Sequence, residues 1–236
     1  MNLYFNEIAH MKPIIITVDG WSSCGKSTMA RQLARELSYV FIDSGAMYRA
    51  ITLFFIRHQV DLNDPQSIVA ALSKIQLAFH LNPINGNNEI WMNGENVEAS
   101  IREMSVAQMV SQVAAIKEVR AFAVAQQQQI GSNKGIVMDG RDIGTAVFPE
   151  AELKIFMTAS IPVRVQRRYQ ELLPKHPQIT VEEVKENLEN RDHLDSTRSI
   201  SPLRKAEDAV VLDNSHLTQE EQLALALSWA REKINH

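Results

Sequence analysis

One cysteine, Cys24, occurs among 236 residues, so no disulfide can form within the chain and a reducing compartment suits it. No apolar run approaches the roughly 20 residues that cross a bilayer, so no membrane partner is expected. The opening MNLYFNEIAH lacks a charged start followed by an apolar stretch, so it does not read as a signal peptide. The patterned part opens at Met11, and residues 1–10 read as an extension that need not be ordered. Charge has no strong sign either. A formal −4, from 24 basic and 28 acidic side chains, gives no reason to expect nucleic acid or a membrane surface. The seven histidines are scattered with no H-x-x-x-H, which argues against zinc. A cytoplasmic protein is the default expectation. What is present is ordinary globular bulk: 45% hydrophobic and 22% charged, enough for a sizeable core with excursions from it.

Periodicity sets out that core. Pro13–Val18 is a β-branched run bounded by turn residues, hence a buried strand. From Lys26, the positions Met29, Ala30, Leu33, Ala34 and Leu37 recur at helical spacing. Tyr39–Asp43, Gly135–Gly140, Glu152–Ala159 and Ala209–Ser215 read as four further strands, with helices after the first and the last. Short strands alternating with helices predict an α/β fold in three layers around a five-stranded parallel sheet. Two segments break the rhythm. Residues 64–103 hold alternating stretches and an Asn93-Gly94 hairpin signal, so a small β-rich insert is expected there. Residues 161–201 are polar, helical and rich in arginine balanced by acids. The core then comprises 11–63, 104–160 and 202–236.

The run Gly20-Trp21-Ser22-Ser23-Cys24-Gly25-Lys26-Ser27 matches G-x-x-x-x-G-K-[ST], a phosphate-binding loop between a strand and a helix. Glycine lets main-chain N–H groups converge on an anion, and the helix that follows adds its partial positive charge. Lys26 would reach the β- and γ-phosphates of a nucleotide, and the Ser27 hydroxyl would sit on Mg²⁺. Gly20 to Thr28 thus form the candidate donor-binding stretch. Cys24 reads as a small loop filler rather than a reactive thiol, because nothing supplies it a partner.

A GTPase would carry N-K-x-D, but the only Asn-Lys, at Asn133-Lys134, is followed two residues on by Ile136. Small kinases remain, since they close extra parts over a second substrate; a regulatory module that holds ATP without fast chemistry is the rival. Ser44 and Arg49 follow one strand, and Asp139, Arg141 and Asp142 end another. Ligands of open parallel sheets bind beyond those carboxyl ends, so these groups converge on the loop. Arg191, Asp195 and Arg198 stand at i, i+4 and i+7, one helix face, which taken alone could be a solvated salt-bridge ladder. Asp139 either supports Mg²⁺ through water or caps the turn.

Together, "DSGAMYR", "DGRDIGTAVFP", "SxVAAxxxVR" over Ser111–Arg120 and "RDxxDxxRxxSPL" over Arg191–Leu203 resemble the cytidylate kinase family, the bacterial CMP/dCMP kinases, from Met11 almost to the end. The resemblance implies a magnesium-dependent transfer from ATP to CMP or dCMP, with 64–103 as the acceptor-binding insert and 161–201 as a lid. It implies that Ser44, Arg120 and Asp142 read the cytosine edge, and that Arg49, Arg141 and Arg198 hold the acceptor phosphate. Arg191 and Asp195 match the ribose and phosphate side, while Arg164, Arg167 and Arg168 match the start of the lid over ATP. Lys26, Arg141, Arg191 and Arg198 are the expected catalytic set. Trp21 and Ser23 depart from the family, which usually has Pro and Gly there, and Ser23 lacks glycine's freedom at positive φ. No general base is expected, because the accepting phosphate has a second pKa near 6 and is mostly dianionic at neutral pH. Two excursions that must move freely suggest a monomer.

Overall fold

The computed structural model describes residues 12–174 and 176–235, so the expected extension at 1–10 lies outside the described residues. Five strands, β1 (Ile15–Gly20), β2 (Val40–Asp43), β6 (Ile136–Gly140), β7 (Leu153–Thr158) and β8 (Val210–Asp213), form a parallel sheet in the order β2-β6-β1-β7-β8. Three strands of a second, antiparallel sheet, β3 (Leu77–Leu81), β4 (Asn88–Met92) and β5 (Glu95–Asn96), lie between β2 and β6 in the chain.

The five strands are apolar because both faces of the sheet are covered. Ile16 and Val18 of β1, Val137 of β6 and Ile155 and Met157 of β7 point to one core. The helices α1 (Lys26–Leu37) and α8 (Gln219–Asn235) pack there through Met29, Ala30, Leu33, Ala226 and Ala230. The alternate residues, Ile136, Met138 and Ile42, turn to the opposite face. There they meet a single π-turn at Ile143–Val147 and residues of α5 (Lys117–Ile130). That completes the three layers, with β1 central.

β1 begins two residues later than its β-branched run suggests and reaches Gly20, because Gly20 still pairs in register with Met157 of β7. Gly20 has φ 147, and a Cβ there would collide with the Met157 carbonyl oxygen. The chain therefore leaves the sheet at a residue that must be glycine.

Helix α2 (Ser44–Arg57) starts directly from β2, with Asp43 as N-cap accepting from the Ala46 N–H. Its apolar residues, with α3 (Pro65–Leu72), α4 (Met104–Val113) and α5, enclose the second core around Phe55, Ile90 and Ile101. The hairpin at Asn93-Gly94 has φ 53 and 81, the two positive values that an Asn-Gly pair is suited to supply. Besides its strands the insert holds α3, which strand alternation alone does not reveal. That helix opens on Asp64, which accepts from two N–H groups, and Pro65 in its first turn.

The segment after β7 consists of α6 (Ile161–Leu172) and α7 (Val181–Thr197), the latter opened by a Thr180–Glu183 capping box. Arg198 falls outside α7: its ψ of 143 turns the chain away. Leu203 N–H then donates back to the Asp195 carbonyl at 2.8 Å. The expected helix face therefore holds for Arg191 and Asp195 only. Among the described residues, no helix is long and apolar enough to cross a membrane.

Candidate active site

The loop between β1 and α1 turns on two left-handed residues, Ser23 at φ 59 and Gly25 at φ 87. Ser23 occupies the conformation that its departure from glycine disfavours, at a cost of about 1–2 kcal/mol. The loop is propped from behind. Asn214, just past β8, donates its side-chain N–H to Cys24 O at 2.8 Å and to Gln222 Oε1 at 2.7 Å. Arg167 of α6 in turn donates to Asn214 Oδ1 and to its carbonyl oxygen, both at 3.0 Å, so it braces the loop's support. Cys24 is fully buried, with its thiol 3.0 Å from the Trp21 carbonyl, which fits a filler of the loop. Lys26 is also buried, and its Nζ donates to Trp21 O at 2.6 Å. Burial first, then the charge of Arg141, pulls the Lys26 pKa below its usual value.

Ser27 and Asp139 meet beside the loop, Ser27 Oγ donating to Asp139 Oδ2 at 2.5 Å. Asp139 caps no turn with its carboxylate: Oδ1 is buried and has no partner, while Ser44 Oγ donates to the Asp139 main-chain oxygen at 2.6 Å. Burial first, then the carboxylate of Asp43, raises the Asp139 pKa to about 7. A buried carboxylate oxygen without a partner is costly unless a cation or donor completes it. Mg²⁺ keeps most of its shell for water and phosphate and takes one or two protein oxygens, so the Ser27–Asp139 pair fits it.

The arginines named from sequence gather on this side of the sheet. Asp142 is buried between Arg120, which pairs with Oδ2, and Arg198, whose Nη2 lies 3.1 Å from Oδ1. Arg120 also lies over the Tyr48 ring, 5.5 Å from its centroid, and burial pushes the Tyr48 pKa up to about 12. Arg141 bridges two elements, donating from Nε to Asp195 Oδ2 at 2.7 Å and from Nη2 to Ser22 Oγ at 2.9 Å. Arg49 pairs with Asp43 at 2.9 Å, yet its Nε is buried without a partner. Arg191 makes no hydrogen bond or ion pair with any other described side chain. Burial, with Arg141, Arg168 and Arg49 nearby, lowers its pKa to about 10. Cations crowded together in this way, one of them without an ion-pair partner among the described residues, suit the binding of an anion. Arg168 leans instead on Glu171 at 2.8 Å. Arg164 is buried at 5% exposure against Asp192, not open toward the loop's mouth.

Three carboxylates escaped the sequence reading. Asp43 caps α2 and holds Arg49; Asp19 anchors the turn after β6; Asp192 joins α7 to the loop. Only Asp43 carried a signal, an Asp three residues ahead of a helical pattern. The other two act across long sequence separations that spacing cannot reveal.

A phosphate loop heading the central strand of a five-stranded parallel sheet, faced by arginines from separate segments, defines a P-loop protein of kinase type. A shikimate kinase from Bacteroides thetaiotaomicron has the same fold, with TM-score 0.50 and 11% identity over 94% of this chain and 99% of that one. A family model described as cytidylate kinase matches residues 16–232. A cytidylate kinase from Bacteroides fragilis is 54% identical over 215 residues, covering 90% of this chain and 94% of the relative. Another from Flavobacterium psychrophilum is 53% identical over 220 residues, covering 92% and 97%. The chain belongs to the cytidylate kinase family.

Proposed function

We propose that this chain transfers the γ-phosphoryl group of ATP to CMP or dCMP, releasing ADP and CDP or dCDP. A phosphate oxygen of the acceptor forms the new P–O bond, and the bond to the β,γ-bridging oxygen breaks with its electrons leaving on ADP. The observation that carries the reading is Asp142, a carboxylate set between Arg120 and Arg198 at the head of β6. Cytosine offers an amino donor where uracil offers a carbonyl acceptor, so a carboxylate accepts from the first and repels the second. Family membership at 50–54% identity supports the same substrate class.

The chemistry asks for charge, not for a base. Unit charges about 4 Å apart repel by about 4 kcal/mol at an effective dielectric near 20, and two facing nucleotides present several such pairs. Lys26 sits in the loop to meet the donor phosphates. Arg49 and Arg141, joined by Arg198, take the acceptor phosphate, and Arg191, close enough to feel the charges of Arg49 and Arg141, serves the ribose and phosphate side. Arginine in such a position is worth roughly 10³–10⁵ in rate. Ser27 and Asp139 would hold Mg²⁺, which would supply positive charge to offset that of the donor phosphates. Residues 64–103 serve as the acceptor-binding insert and 161–201 as a lid that closes, and so excludes water, only once both substrates are in place. We place the enzyme in the cytoplasm, where its lone buried thiol stays reduced, and as a monomer, which leaves both excursions free.

The test is ADP release with Mg-ATP and a panel of CMP, dCMP, UMP, AMP and no acceptor. CMP and dCMP are expected to outrun the rest; a folded enzyme that ignores CMP and uses another acceptor readily overturns the assignment.

A further inference from the structure

Asp192 has no part in the chemistry described so far, yet it is one of the few carboxylates enclosed by the protein, at 9% exposure. Its Oδ1 accepts from the main-chain N–H of Ser22 at 3.2 Å, and its Oδ2 pairs with Arg164. Arg164 completes a ring: Nη1 donates to Ser22 O at 3.3 Å and Nε to Ala159 O at 3.1 Å. The third polar atom of Ser22, its Oγ, receives Arg141, and Arg141 is held by Asp195. One loop residue is thus gripped on every polar side, by α6, by α7 and by the turn after β6. Asp192 stands next to Arg191, the guanidinium without a partner, and three residues before Asp195 on the same helix.

We propose that Asp192 is a positioning residue for phosphoryl transfer: with the lid down, as in this structure, it docks α7 onto Ser22 of the phosphate loop and so fixes where Arg191 stands. The inference rests on the kinase reading above. The energetics favour a rigid role. A buried ion pair contributes little net stability but is costly to break on one side, so it fixes a geometry more than it strengthens a fold. Arg191 has a long, rotamer-rich side chain and no hydrogen bond or ion pair to another described side chain, so its placement is inherited largely from the helix turn beneath it. A displacement of about 1 Å at a charged group in such a site can cost about 100-fold in rate.

The experiment is a double-mutant cycle on kcat with Asp192→Asn and Arg191→Ala, run with whichever acceptor the panel identifies. Failure of the CMP reading and failure of this one are then separate results. Asp192→Asn keeps an acceptor for the Ser22 N–H and removes the charge that holds Arg164. In the Arg191 background it is expected to lower kcat by about tenfold or more, with the KM for the acceptor changed less. In the Arg191→Ala background the same substitution is expected to lower kcat by less than about threefold, because the residue it positions is gone. A merely structural role predicts equal losses in both backgrounds, and that outcome, or an unchanged kcat, overturns the proposal. Should Asp192→Asn not fold, Arg164→Lys takes its place in the cycle. It keeps the paired charge, loses the planar fork that reaches Ser22 O and Ala159 O, and is held to the same two outcomes.

Discussion

Asp19 and Gly144, 125 residues apart, are joined by a hydrogen bond of 2.7 Å from the Gly144 N–H to Asp19 Oδ2, and Ile143 N–H donates to the other oxygen at 2.8 Å. The central strand thereby pins the turn that carries Arg141 and Asp142. Burial raises the Asp19 pKa from 3.8 to about 6, although both N–H groups work to lower it. Between those values the folded chain keeps a proton that the unfolded chain has released, so this group makes stability fall as pH rises. In Asp19→Asn that part of the slope is expected to vanish between about pH 4 and 6, alongside a loss of about 1–3 kcal/mol for the N–H left without an acceptor. Urea midpoints measured across that window check both; a slope identical to the parent's refutes the first.

Lys26 is expected to be dispensable for folding and indispensable for turnover. Its ammonium donates only within its own loop, to the Trp21 carbonyl and to the Cys24 sulfur, so Lys26→Ala removes no contact to another element. Loss of a charge aimed at the transition state costs about 10²–10³ or more in kcat. Circular dichroism alongside coupled-assay turnover separates the two effects, and retained activity in a folded variant would end the loop assignment.

Asp142→Asn is expected to erode base choice. It replaces a pure acceptor with a group that can also donate, so the preference for CMP over UMP in kcat/KM should shrink by about tenfold, within the about 1–3 kcal/mol that a mismatched buried polar pair costs. Arg120, itself buried, then loses its counter-charge, and stability should drop by as much as about 3–5 kcal/mol. Equal loss for both nucleotides would remove Asp142 from base reading.

Ser23→Gly should stabilise the protein slightly without touching catalysis. Relief of about 1–2 kcal/mol at φ 59 is set against about 0.5–1 kcal/mol of added chain entropy to lose, leaving up to about 1.5 kcal/mol. Chemical denaturation would report the gain; destabilisation by that amount would show that the Ser23 side chain makes a contribution of its own.

The parallel strands were legible from short β-branched runs because a sheet covered on both faces leaves little room for polar residues within them. The loop was legible because an anion nest restricts both residue type and spacing. Legibility stopped where a side chain's partner sits far along the chain. Arg164 is expected over ATP from its family resemblance, while its guanidinium pairs with Asp192, 28 residues later. Arg198 fits the spacing of Arg191 and Asp195, yet the backbone breaks at it, and it reaches Asp142 from beyond the helix. Helical spacing describes a cylinder, and it fails where the cylinder ends.

The collision awaiting any side chain at Gly20 concerns the meeting of β1 and β7, not the nucleotide. A library randomised at that codon and sorted only for folded, soluble protein should already return glycine, with no ATP in the selection. The first letter of the phosphate-loop signature is thus dictated by architecture, so finding it in a chain attests a strand exit of this shape before it attests any phosphate.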